Sequence, residues 1–110
     1  MTDHFYAKDA VLSGMGKFAE VKSDLLVAFG QFNQKAFEPG ALPEKTKELI
    51  ALACAHITQC PYCIDSHTRK AKEAAATDEE IAEAIMVAVA MKAGAAMAHA
   101  SIAMKALENI

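Results

Sequence analysis

The last third of the chain places the hardest constraint on its fold. From Ile81 to Leu107 the sequence is alanine-rich and apolar almost all the way round a helix, with Met86, Met91, Met97 and Met104 among the larger side chains. A helix that is apolar on most faces is buried on most faces. A chain of 110 residues, one domain by length, has few ways to surround such a helix unaided. Other subunits are therefore expected to cover it, which makes the chain an obligate homo-oligomer. The composition agrees with an all-α fold class. There are twenty-four alanines, against 6% aromatic residues and no Trp, and Ala forms helix readily while filling little space between helices. No internal repeat, low-complexity linker or extended strand pattern interrupts this reading.

A formal charge of −3 and a pI near 5.7 give no basic field to attract a phosphate backbone, so nucleic acid is not an expected partner. No window of eighteen consecutive residues is apolar and free of charge. The N-terminus, Met1-Thr2-Asp3-His4, lacks the basic region and apolar run of a signal peptide. A cytosolic location with no membrane partner is the resulting expectation. In a reducing compartment structural disulfides are rare, and a Cys-x-x-Cys pair is more often catalytic or metal-binding.

In chain order, Phe5, Leu12, Met15 and Phe18, interrupted by Gly14 and Gly16, predict short helical pieces up to about Val21. Ser23-Asp24 is an N-cap signal for a helix running to Phe37, where Glu38-Pro39-Gly40 stops it. Pro43 and Glu44 open a helix that runs to about Thr58. Pro61 cannot continue that helix, so the chain breaks at Gln59, Cys60 sits at or near an N-cap, and a new helix spans Pro61 to about Ala76. Thr77 and Glu80 form a capping box for the last helix, which Lys92 and Gly94 are expected to kink. Residues 1–40 thus read as a helical extension to a 42–107 core within one domain.

The chemistry-bearing stretch is Cys60-Pro61-Tyr62-Cys63, with His67 four residues on and Glu48 upstream. If the helices flanking Gln59 form an antiparallel hairpin, Glu48 lies near the level of His67, and Cys63 and His67 share a helix face. Those groups then form a line for moving protons. The thiolate is the reactive species, and a helix N-terminus and a neighbouring His both favour it. A second thiol three residues away can resolve a sulfenic acid as a disulfide. Metal ligation is the competing reading, because His56, Cys60, Cys63 and His67 recur every three or four residues. Four ligands along nearly three turns of one helix do not converge on a tetrahedral ion unless the Pro61 break bends them inward. Cys54, among Ala51, Ala53, Ala55 and Ile57, reads as core, His56 and His99 as packing or interface residues, and Asp78, Glu79, Glu80 and Glu83 as a cap and solvated face.

The string Glu48, eleven residues, Cys60, two residues, Cys63, three residues, His67 resembles the signature of the alkylhydroperoxidase D (AhpD)-like branch of the carboxymuconolactone decarboxylase family. The resemblance covers roughly Leu42 to Ala103. It implies an AhpD-like helical bundle assembled into trimers or hexamers, with hydroperoxide as substrate, a protein or small-molecule thiol as reductant, and no cofactor or metal. In that family the second cysteine, here Cys63, is usually taken as peroxidatic and the first, Cys60, as resolving, with Glu48 and His67 relaying the proton. One departure stands out: members with peroxidase activity often carry His just before the second cysteine, and here that position is Tyr62. A phenol does not replace imidazole as a base at neutral pH. A general dithiol-disulfide oxidoreductase or redox relay is therefore the alternative enzyme, and a structural or metal-binding oligomer the alternative outside catalysis.

Overall fold

The computed structural model describes residues 8–110, with side chains from residue 13 onward. Phe5 and the side chain of Leu12, both expected to anchor the first segment, lie outside the described residues. Four helices follow one another: α1 Lys8–Phe37, α2 Glu44–Thr58, α3 Pro61–Glu73 and α4 Asp78–Glu108. α2 is the hub. It packs along both α3 and α4, whereas α1 touches α2 near its own C-terminal end and α3 meets α4 only lightly.

Local chemistry accounts for most boundaries. Pro43 precedes α2 in an extended conformation, and Glu44 occupies the first turn, where the helix dipole favours a carboxylate. Gln59 ends α2 in the left-handed region (φ 57°, ψ 50°), and the Cys60 N–H donates to the Ala55 carbonyl at 3.1 Å. That single reversal turns the chain so that α3 runs back beside α2. α3 begins with Cys60 as N-cap and Pro61 in the first turn. Thr77 caps α4 through a complete capping box: the Glu80 N–H donates to Thr77 Oγ1 at 3.0 Å, and the Thr77 N–H donates to Glu80 Oε1 at 2.8 Å.

Three expectations change. The glycines at 14 and 16 do not split the first segment, and α1 consists of two helical stretches that meet at a kink at Lys22 (φ −149°, ψ 69°), where the expected second helix begins. The kink therefore falls just before the expected cap at Ser23, where the Asp24 side chain accepts from the Leu25 N–H at 2.9 Å. α3 stops at Glu73, three residues before Ala76, because Ala75 turns into the left-handed region (φ 71°) and the Ala76 N–H closes back on the Ala71 carbonyl at 2.9 Å. α4 is unbroken through Lys92 and Gly94. A single helix glycine costs about 1 kcal/mol relative to Ala, too little to interrupt thirty-one residues of otherwise strong helix formers.

Burial is sparse. Among the described residues, the buried apolar set is Leu52, Ala55, Ala71, Ala76 and Ala88, and the one buried charged residue is Glu48. The radius of gyration is 18.3 Å, well above the roughly 13 Å of a compact chain of this length. Phe29 and Phe32 on α1 and Met91, Met97 and Ile102 on α4 stand exposed. By length and composition α4 passes as a membrane span, with a mean hydropathy of 1.6 in its most apolar window, of which 6% is buried. Lys92 stands at its middle, where a charge in a bilayer costs roughly 3 kcal/mol even on the lenient insertion scales.

The end of α3 and the start of α4 are joined to their surroundings by charge. Lys72 Nζ lies 2.8 Å from Asp78 and holds that carboxyl below its ordinary value. Glu80 is also held low, first by the Thr77 N–H and then by Lys45, whose Nζ is 2.9 Å away. A carboxylate whose folded pKa is depressed contributes stability above its unfolded value, and that contribution is lost as pH falls through the folded value. Thr77→Ala is accordingly expected to destabilise the fold by about 1 kcal/mol in urea unfolding. Acidification from neutral pH to below the ordinary carboxylate value of 4.5 should lower the wild-type midpoint, and Glu80→Gln should flatten that decline.

Candidate active site

The α2–α3 hairpin brings the chemistry-bearing residues to one place. Cys60 and Cys63 form a disulfide, with Cα atoms 5.3 Å apart, inside the span such a bond requires. Both belong to the first turn of α3, and the Cys63 N–H donates to Cys60 Sγ at 3.3 Å. The N-cap position of Cys60 follows from Pro61, which supplies the φ of a first helical residue and no N–H of its own. A sulfur so placed faces the positive end of the helix and a directed N–H, the two features that favour an anionic sulfur.

One turn beyond Cys63, His67 Nδ1 lies 2.7 Å from Glu48 Oε1. Glu48 is 4% exposed and sits in line with Leu52 and Ala55 on the buried face of α2. Against an ionised carboxylate, which only accepts hydrogen bonds, Nδ1 is the donor, and a neutral ring so held presents its Nε2 lone pair. The ring is also held from the side: Phe37, at the end of α1, stacks on His67 with centroids 5.1 Å apart and planes 15° from parallel. Three helices thus fix one imidazole.

A cavity of about 490 Å³ opens between the C-terminal end of α1, α2 and the start of α3. Cys63 and His67 both line it, together with apolar side chains that include Phe37, Leu42 and Ile50. Cys63 borders this cavity, and Cys60 is the N-cap of α3. A second hollow, of about 460 Å³, is bordered by Glu48, Lys70 and Glu73.

Of the residues singled out in the sequence, Glu48, Cys60, Cys63 and His67 come together in this one region. Tyr62 is exposed at the helix start. His56 turns elsewhere, with Nδ1 2.9 Å from the Leu52 carbonyl and its ring at a cleft against Ala88 and Lys92 of α4. Among the described residues no cluster of three or more His, Cys, Asp or Glu side chains is arranged to hold a metal ion. His99 is exposed on α4. Cys54 corrects the expectation of a core residue: it is exposed and lines the cavity with Cys63. It lies outside the stripe Glu48, Leu52, Ala55 that α2 buries, and alanine neighbours in sequence carry no information about which stripe that is. Sequence reasoning also missed Phe37 and Lys47. Both reach the site through the packing of α1 against α2, and their spacing from the Cys-x-x-Cys gives no signal of it.

The comparisons agree with this architecture. Residues 23–106 match the sequence pattern of the carboxymuconolactone decarboxylase family. A Paracoccus denitrificans protein described as uncharacterized protein 4 in cox locus is 44% identical over 98 residues, covering 89% of this chain and 88% of its own length. Another relative, from Cupriavidus necator, is 33% identical over 81% of this chain and 79% of its own. Among solved structures, a carboxymuconolactone decarboxylase family protein from Legionella pneumophila, crystallised in its apo form, superposes with a TM-score of 0.72 at 37% identity, covering 92% of this chain and 90% of that one. A Methanobacterium thermoautotrophicum protein gives 0.73 at 36% identity over 77% of this chain and 96% of that one. With a matched region that spans the Cys-x-x-Cys hairpin and nearly all of α4, the chain belongs to the carboxymuconolactone decarboxylase family.

Proposed function

We propose that the protein is a thiol-dependent hydroperoxide reductase that cycles Cys60 and Cys63 between dithiol and disulfide. The observation that carries this reading is His67, oriented by Glu48 and opening with Cys63 onto one cavity. In the reduced state His67 Nε2 takes the Cys63 proton, and the Glu48 carboxylate stabilises the imidazolium. The Cys63 thiolate attacks the outer oxygen of ROOH; the S–O bond forms, the O–O bond breaks, and the departing alkoxide takes the proton back from His67 to leave as ROH. Cys60 then attacks the Cys63 sulfenic acid, an S–S bond forms, and hydroxide leaves with the Cys60 proton as water. Two electrons have passed from the dithiol to the peroxide.

An external thiol pair restores the dithiol. Attack at Cys63 makes Cys60 the leaving sulfur, and the Cys63 N–H that already points at Cys60 Sγ stabilises it as it departs. The exchange rate rises as the leaving thiol becomes a better anion. A general dithiol-disulfide oxidoreductase uses the same reductive half-cycle, and Tyr62 in place of a second imidazole keeps that reading in view. Peroxide turnover separates the two. The wider reading has the protein in the reducing cytosol, where the pair can be recycled, and as a homo-oligomer whose subunits cover α4 and the exposed face of α1.

Reduced protein treated with an organic hydroperoxide is expected to lose two hydrogens by mass, confined to Cys60 and Cys63, while the peroxide is consumed. Cys63→Ser should abolish consumption; a variant that turned over at the wild-type rate would sink the mechanism, and disulfide exchange without peroxide loss would favour the oxidoreductase. His67→Ala leaves Glu48 buried without its ring partner and should cost roughly 1–3 kcal/mol in urea unfolding as well as slowing thiolate formation in stopped-flow measurements. Sedimentation equilibrium at micromolar concentration should give a multiple of 11.7 kDa; a mass of one chain would refute the assembly.

A further inference from the structure

The cavity beside Cys63 has an uneven electrical character. Phe37, Leu42, Ile50 and Ala51 give it apolar walls, no Asp or Glu lines it, and Lys47 is its one side chain of fixed charge. Lys47 is half-buried, and backbone carbonyls hold its ammonium. Its Nζ donates to the Ala36 carbonyl at 3.0 Å and to the Glu38 carbonyl at 2.6 Å, satisfying carbonyls at the end of α1 and fixing the ammonium at the cavity edge. An ammonium has three N–H donors, so one remains. An ammonium against an apolar wall favours a carboxylate on an otherwise apolar molecule, since the charge is paired while the body of the ligand leaves water.

The hairpin also fixes a distance. Glu48 and His67 are bonded across α2 and α3 and so stand level. Cys63 lies four residues nearer the turn than His67, and Lys47 lies one residue farther from the turn than Glu48. The sum of five residues puts the backbone levels of Lys47 and Cys63 about 8 Å apart along the helices, before either side chain extends. A ligand whose carboxylate meets Lys47 therefore presents to Cys63 an atom well down its chain rather than one beside the carboxylate. The cavity volume of about 490 Å³ falls in the range of small-molecule sites and accommodates a bent acyl chain.

We infer that the preferred substrate is a mid-chain hydroperoxide of a long-chain carboxylic acid, with Lys47 as the residue that selects its carboxylate. The inference rests on the hydroperoxide reductase reading and narrows it. The peroxide group is reduced to the alcohol by the dithiol as above, and the carboxylate is bound without reacting.

The test compares a mid-chain hydroperoxide of linoleic acid with its methyl ester on the full chain, reading kcat/KM for each. Wild type is expected to prefer the acid by about tenfold, the value of one charge-assisted hydrogen bond. Lys47→Gln should bring the ratio of acid to ester to about one, and Lys47→Arg should keep most of the preference. Because the readout is a ratio within each variant, a general loss of activity from loosening α1 cancels. Should Lys47→Gln fail to fold, unoxidised linoleate must still compete against the acid hydroperoxide in wild type where methyl linoleate does not. Equal kcat/KM for acid and ester in wild type, or a preference unchanged in Lys47→Gln, overturns the role of Lys47 while leaving peroxide reduction standing. No turnover of either substrate by folded, reduced protein overturns the hydroperoxide reading, and this inference with it.

Discussion

The hydrogen bond between Glu48 and His67 is the contact on which the rest of the site depends. A carboxylate that is 4% exposed is costly unless a donor meets it, and the donor here comes from the neighbouring helix. The bond therefore locks the register of α2 against α3, fixes which ring nitrogen carries the proton, and provides the flat surface on which Phe37 of α1 stacks. Buried polar pairs are poor sources of net stability, and removing one partner is far worse than removing both. On the mechanism proposed above, the fold and the chemistry are tied to the same bond, and a variant of either residue would act on stability and activity together.

The remainder of the chain contributes little packing of its own. Leu52 is the one large side chain wholly out of solvent among the described residues, and the four other buried apolar positions are all alanines. α2 owes its place to α3 on one side and α4 on the other, yet α4 and α1 present most of their apolar surface outward. On the assembly proposed above, neighbouring subunits complete what the single chain leaves open, and the cavity wall formed by the end of α1 is steadied by contacts made along the rest of that helix.

How far the sequence could be read follows from how local each signal was. The capping box at Thr77 and Glu80, the start of α2 after Pro43 and the reversal at Gln59 rest on residues within a few positions of one another, and each is found where local chemistry puts it. The level of Glu48 with His67 was also legible, because a hairpin about a known turn fixes distance from the turn. Two boundaries were less legible. Gly14 and Gly16 looked like interruptions, but the cost of a helix glycine is small, and the break in α1 falls instead at Lys22. Ala75 carries no signature of a left-handed residue, so the early end of α3 could not be seen. The exposure of Cys54 and the arrival of Phe37 and Lys47 depend on the angle at which α1 meets α2. That angle is set by a handful of contacts distant in sequence.

Gly94 sits in the middle of α4 with nothing within 4 Å of where a methyl group would be. Within one chain the position gains no closer packing from lacking a side chain, while the unfolded chain gains freedom from it, so the isolated chain carries a defect that alanine would repair by about 1 kcal/mol. A defect that persists at the centre of the most apolar helix gives that site diagnostic value. Where another backbone approaches closely, an added methyl group turns from an improvement into an obstruction, and the sign of the change at residue 94 reports which surface of α4 is covered.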